Sequence, residues 1–158
     1  MNDILLLALT LVSALGCGLV AGVFFAFSTF VMPALARLPP AQGIAAMQSI
    51  NITVINPLFM GALFGTAAAS VFLAVTALQS WQEPGAVYLL AGSLLYVLGT
   101  VGVTIGLNVP LNNALAAVVA DSAEGAQLWR HYLAKWTAWN HVRTAAALAA
   151  AAGLTIAL

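Results

Sequence analysis

The sequence predicts an all-α integral membrane protein: one domain over residues 1–158, built as a four-helix bundle with short amphipathic helices in two long connections. Three observations carry this. The chain is 63% hydrophobic and 5% charged, against roughly 25% charged for an average soluble domain. Its apolar residues fall in runs long enough to cross a bilayer, which takes about 20 residues of helix. Its four basic residues all lie between runs or at their edges. Zero net charge leaves no basic surface to neutralise phosphates, so nucleic acid is excluded as a partner.

The first span covers residues 4–32 and contains no charge; it is longer than the hydrocarbon core requires, so tilt or projection is expected. A cleaved signal peptide would have a basic start and a shorter apolar core, whereas Asp3 is the only early charge. Cys17 has no activating charge beside it and reads as a small packing residue; a lone cysteine makes no internal disulfide.

The second span covers residues 58–78, with Asn56 as cap and Pro57 as first helical residue. A tight turn, Gln79 to Gly85, leads to the third span, residues 86–107. Pro110 cannot donate to the Gly106 carbonyl, so a kink is expected there. The fourth span covers residues 139–158, and residues 126–158 read equally well as one helix passing from the surface into the membrane. The connections 32–56 and 108–138 are rich in Ala, Leu, Gln and Met and are expected to hold short helices.

Arg37 lies in the first long connection, and Arg130, Lys135 and Arg143 lie in or beside the second. The positive-inside rule then puts both long connections in the cytoplasm and both termini outside, in the cytoplasmic membrane. Glycines four apart, Gly18 and Gly22, Gly61 and Gly65, Gly102 and Gly106, recur in three spans, and the fourth carries an alanine run. Such faces let helices approach closely within the bundle, or against a second copy in a homo-oligomer.

The polar residues gather at one end. Ser28 and Thr29 close span one, Asn51 and Asn56 precede span two, and Asn108, Asn112 and Asn113 follow span three. Asn140, His141 and Arg143 open span four. Trp136, Asn140, Arg143 and Ala147 share one helical face, with Thr137, His141 and Thr144 on the adjoining stripe. Asn108 and Asn112 are one turn apart if the helix persists through Pro110. Ionisable groups at such depth usually face a bundle interior or a wet cavity. The bland alternative makes Trp129, Tyr132, Trp136 and Trp139 an interfacial belt, Arg143 a snorkelling cation and the asparagines caps. The phenylalanines from Phe24 to Phe30 read as core or lipid-facing.

No metal site is expected: His131 and His141 are about 15 Å apart along a continuous helix, too far to share a zinc ion. One proximal histidine suffices for haem, which keeps a haem or metal at His141 as an alternative to a cofactor-free protein. Glycine-rich phosphate loops and Ser-His-Asp arrangements are absent from the sequence.

FFAFSTFVMPALARLPP, then MQSIN and NP, then NVPLNN, then W-x2-YL-x2-W-x2-WNHVRT together resemble the anthrone oxygenase family of small four-span membrane proteins. The resemblance runs from about Leu15 to Ala152, and NxPxN and W-x2-WN-x2-R are its most specific parts. It implies an oxygenase that turns anthrones into anthraquinones, with Asn108, Asn112, Trp136, Trp139, Asn140 and Arg143 carried over as site residues. His141 is added on chemical grounds, since an ordinary imidazole titrates near pH 6.5 and suits proton transfer around neutrality. Asn51 and Asn56 complete the expected substrate contacts. On this reading the partners are the bilayer, a small aromatic substrate and dioxygen. A non-catalytic binding or assembly module for a lipid, quinone or partner subunit is the second reading. A carrier or channel is the third, ranked last because spans two and three hold so few polar residues.

Overall fold

The computed structural model describes residues 3–158, with side chains from Ile4 onward; Met1, Asn2 and the Asp3 side chain, part of the N-terminus assigned above to the outer side, lie outside the described residues. Every regular element among these residues is helical. Helix α1 (Asp3–Ala26) passes through a π-helical turn (Phe27–Val31) into α2 (Met32–Ala36). Helix α3 (Pro40–Thr53) fills the first long connection. Helix α4 (Pro57–Gln79) starts where expected: Asn56 Oδ1 accepts from the backbone N–H of Leu58 at 3.1 Å and of Phe59 at 3.0 Å. Helix α5 (Ala86–Leu94) continues through two π-helical stretches (Leu95–Gly102 and Thr104–Asn108) into α6 (Val109–Ala116). Helix α7 (Ala123–Ile156) is capped by Ser122, whose hydroxyl accepts from Gly125 N–H at 2.9 Å.

Three of these helices are long and apolar enough to cross a membrane, as in an integral membrane protein: Ile4–Ala36, Pro57–Gln79 and Ala86–Ala116. All three extend to or beyond the expected spans. Helix α7 has the length, 34 residues, but its apolar half is mostly alanine and opens on Asn140, His141 and Arg143. It is less apolar than the other three. It is nevertheless central, packing on α1, on α5 and on the π-helical stretch after α5, while α4 joins α5 to α1 and closes a ring of four long helices.

The glycines correct one expectation. A side chain at Gly18, Gly22, Gly61, Gly65 or Gly106 would meet open space, and one at Gly102 would touch only its own helix. Spacing identified small-residue faces, but those faces point outward. The close approaches within the chain use other glycines. Gly92 and Gly153 abut where α5 crosses α7, and a methyl on Gly16 would collide with the Thr66 hydroxyl.

Helix persists through Pro110, and the disturbance that proline imposes falls just before it. The Val109 N–H reaches back to Thr104, five residues away, so the ladder widens ahead of the residue that has no N–H to give.

Two apolar cores lie in series. One, within the membrane-length helices, includes Cys17, Leu73, Tyr96 and Ala150. The other, at the polar end, joins Met32, Ile44, Met47 and Leu115 to Trp129, Tyr132 and Trp136. These three aromatics are buried and stacked, Trp129 on Tyr132 at 5.5 Å and Tyr132 on Trp136 at 6.0 Å. They form a column inside the protein, and of the four aromatics expected in a belt only Trp139 keeps the exposure of an interfacial residue.

Candidate functional site

The helical repeat of α7 aligns Trp136, Asn140, Arg143 and Ala147, and all four are buried. This face meets α1 and the π-helical stretches that follow α5. Asn140 is fully buried: its side-chain N–H2 donates to the Phe24 carbonyl and the Ser28 hydroxyl, both at 2.7 Å. Its Oδ1 accepts from Arg143 Nη2 at 2.6 Å. Arg143 Nη1 donates to Thr104 Oγ1 at 3.2 Å. A single arginine–asparagine pair thus ties three helices together.

The guanidinium lies 4.1 Å from the Phe24 ring centroid and 5.1 Å from that of Trp136. Cation–π attraction is strongest when the cation is desolvated, and Arg143 is only 4% exposed. None of its hydrogen-bond partners is a carboxylate, and its Nε–H has no partner. The arrangement is therefore a buried positive charge held by neutral amide, hydroxyl and ring groups, a setting that favours an incoming anion.

A second cluster sits one turn away. Asn112 Oδ1 accepts from both Tyr132 Oη and Trp136 Nε1 at 2.8 Å. Asn108 donates to the Trp136 carbonyl at 3.2 Å, while its own Oδ1, buried, has no partner. Asn51 lies near the Tyr132 phenol. Burial pushes the Tyr132 phenol above its ordinary range, against the opposing pull of Asn51 and Arg143, so it remains a neutral donor.

The structure thus brings Asn108, Asn112, Trp136, Asn140 and Arg143 together, with Asn51 at their edge. It does not bring His141 to them. His141 is exposed on another face of α7, where it lines a shallow groove of about 340 Å³ with Met32, Pro33, Ala36, Leu133 and Thr137. Trp139 is 36% exposed and outside the network. Asn56 is occupied as the cap of α4. No trio of His, Cys, Asp or Glu side chains able to hold a metal comes together among the described residues.

Phe24, Thr104 and Tyr132 were not singled out as site residues. Thr104 is one turn before Asn108, and Tyr132 one turn before Trp136, so the helical repeat could have found both. Phe24 carries no such signal; its place under Arg143 depends on how α1 meets α7.

A family model described as anthrone oxygenase matches residues 56–153, more than half of the chain and every clustered residue except Phe24, Ser28 and Asn51. No curated protein and no solved structure matches the chain.

Proposed function

We propose, from the premise that this chain belongs to the anthrone oxygenase family, that it is a membrane-embedded oxygenase acting on an anthrone-like polycyclic or phenolic substrate with dioxygen. The observation that carries this reading is the Arg143 guanidinium, buried, ring-stacked and without a carboxylate partner. Oxidation of an anthrone begins by removing a proton from its methylene, which leaves a delocalised enolate. Arg143, and Asn108 through the side-chain N–H not given to Trp136, would stabilise that anion and the peroxide formed from it, in surroundings where electrostatic preorganisation counts most.

The chemistry balances without an added reductant. The enolate carbon gives electrons to dioxygen and a carbon–oxygen bond forms. The hydroperoxide then loses water: one oxygen atom becomes the new carbonyl, and the other leaves with the two methylene hydrogens. His141 is the proposed base, working from the groove beside Met32 and Pro33. That groove lies along the outer side of the seam between α1–α2 and α7, and Ser28 and Asn140 meet on its inner side. A substrate entering the seam would meet His141 first and the Arg143 pair behind it. Trp136 and Trp139 would contact the flat rings, with Asn51 and Asn112 at their edge.

The same reading includes a four-span topology in the cytoplasmic membrane. The half of α7 from Trp139 onward forms the fourth span, both long connections lie in the cytoplasm, and both termini lie outside. No bound cofactor is proposed. The outward glycine faces are left for a second copy of the chain.

One observation favours the non-catalytic alternative, a binding or assembly module. Asn112 and Asn140 already spend their hydrogen bonds within the chain, as a purely structural network would. Detergent-purified protein mixed with a simple anthrone in air separates the two. Quinone absorbance rising faster than autoxidation supports the oxygenase, and a rate no greater than autoxidation moves the assignment to the module. A Soret band before substrate is added overturns the cofactor-free reading and makes His141 a candidate haem ligand.

A further inference from the structure

Most threonine hydroxyls in this chain bond back to the carbonyl four residues earlier. Thr10, Thr29, Thr53, Thr76, Thr104, Thr144 and Thr155 all do so, at 2.7–3.1 Å. Ser13, Ser70, Ser93 and Thr100 do not: each is 0–1% exposed and its oxygen has no hydrogen-bond partner. The exceptions come from three different helices and all point into the bundle.

Their registers place them in sequence. Gly16 of α1 abuts Thr66 of α4, and the Tyr96 hydroxyl, which donates to the Leu63 carbonyl at 3.2 Å, is also within reach of Thr66. One turn from this layer toward the chain termini stand Ser13, Ser70 and Ser93, one from each helix. One turn the other way stands Thr100, and one turn further Thr104, which accepts from Arg143. Beyond the serines, Thr10, Thr76 and Leu89 line a cavity of about 940 Å³ that opens between Gln79, Ser80 and Glu83. Polar groups thus recur at every turn from that cavity to the buried guanidinium.

A helical turn rises about 5.4 Å, and a water bridging two hydroxyls by bonds of about 2.8 Å that meet near the tetrahedral angle holds them roughly 4.5 Å apart, within what side chains one turn apart can span. Buried polar groups left unpaired by the protein are where ordered water is found. We propose that the bundle interior holds a file of ordered water, anchored on Ser13, Ser70, Ser93 and Thr100, that joins the far cavity to the Arg143 site. Its use rests on the oxygenase reading: it drains the water released beside Arg143 away from the groove by which substrate enters. Its existence does not depend on that reading.

Radiolytic hydroxyl-radical footprinting of the substrate-free protein in lipid nanodiscs tests this, because radicals born from bound water mark adjacent side chains whatever their exposure. Scaled by the intrinsic radical reactivity of each side-chain type, oxidation of Cys17 and Tyr96, both 0% exposed, should lie well above that of equally buried Leu115 in the other core. In the S70A/S93A variant their scaled labelling should fall toward the Leu115 level. Scaled wild-type labelling of Cys17 and Tyr96 no greater than that of Leu115 overturns the proposal even if the variant fails to fold; so does undiminished labelling in a folded variant. Turnover enters neither readout, so failure of the oxygenase assay and failure of the water file are separate results.

Discussion

Arg143 and Asn140 lie one turn apart on α7, and the 2.6 Å bond from Arg143 Nη2 to Asn140 Oδ1 makes one buried unit of the two. Asn140 anchors the unit on α1 through Phe24 and on the π-helical turn that continues it through Ser28. Arg143 carries it to Thr104.

Asn140→Ala should therefore weaken the protein as well as the chemistry. It removes both anchors and leaves a guanidinium donor unpaired in the interior. A loss of roughly 1–3 kcal/mol is expected for a buried hydrogen bond to a charged group. Unfolding in mixed micelles measures it; a change below about 0.5 kcal/mol would show that the network holds nothing together.

Arg143→Lys keeps the charge but loses the planar fork and the stacking on Phe24 and Trp136. If the guanidinium stabilises the anionic intermediate, kcat for anthrone oxidation should fall about 10²–10³-fold, the cost of one lost oxyanion donor. Steady-state kinetics decides this, and full activity in the lysine variant would reduce Arg143 to a structural cation.

His141 is exposed, so His141→Ala should leave stability within about 0.5 kcal/mol. Loss of a general base should cut turnover by roughly 10²–10⁴. Unchanged turnover would remove His141 from the reaction and leave deprotonation to solvent.

Asn56→Ala should cost about 1 kcal/mol through loss of the α4 cap and leave turnover of the remaining folded protein unaltered. A raised KM for the anthrone, with stability intact, would instead restore Asn56 as a substrate contact.

Gly92→Leu and Gly61→Leu make a paired test of the bundle. At Gly92 the added atoms meet Ala150 and Leu154 of α7, and overpacking should cost about 1–3 kcal/mol. At Gly61 they enter open space, so thermal stability should hold; a lower mass in size-exclusion light scattering would then identify that face as a contact between copies.

The buried face of α7 was legible because a repeat of 3.6 residues is all that is needed to align Trp136, Asn140 and Arg143. The same repeat sets His141 and Arg143 about 200° apart around the helix, so closeness in sequence overstated how closely they work together. The end of α4 was legible at Asn56-Pro57, where capping chemistry is local. The glycine pairs show the limit of such patterns: spacing defines a face but not what lies opposite it. Nor does the sequence mark the π-helical stretches, apart from Pro33 and Pro110, each two residues past the end of one, because widening a ladder is a compromise among packed neighbours. The few hydroxyls of the second and third spans, too sparse to suggest a route through the bundle, acquire that meaning only once Thr66, Ser70, Ser93, Tyr96 and Thr100 are all found facing inward.

Between Ala126 and Ala152, α7 contains neither glycine nor proline, and it runs without interruption from the surface to the far end of the bundle. Mechanically it is a spar: twist applied at its outer end is delivered to Arg143 with little taken up on the way. The compliance lies across the seam, where the walls facing Arg143 and Asn140 come from Phe27–Val31 and Leu95–Asn108, the stretches whose ladders are already loosened. On the proposed oxygenase reading, admitting a rigid polycyclic guest is then a matter of the walls yielding around a fixed charge, and stiffening either wall would slow entry without touching the residues proposed to do the chemistry.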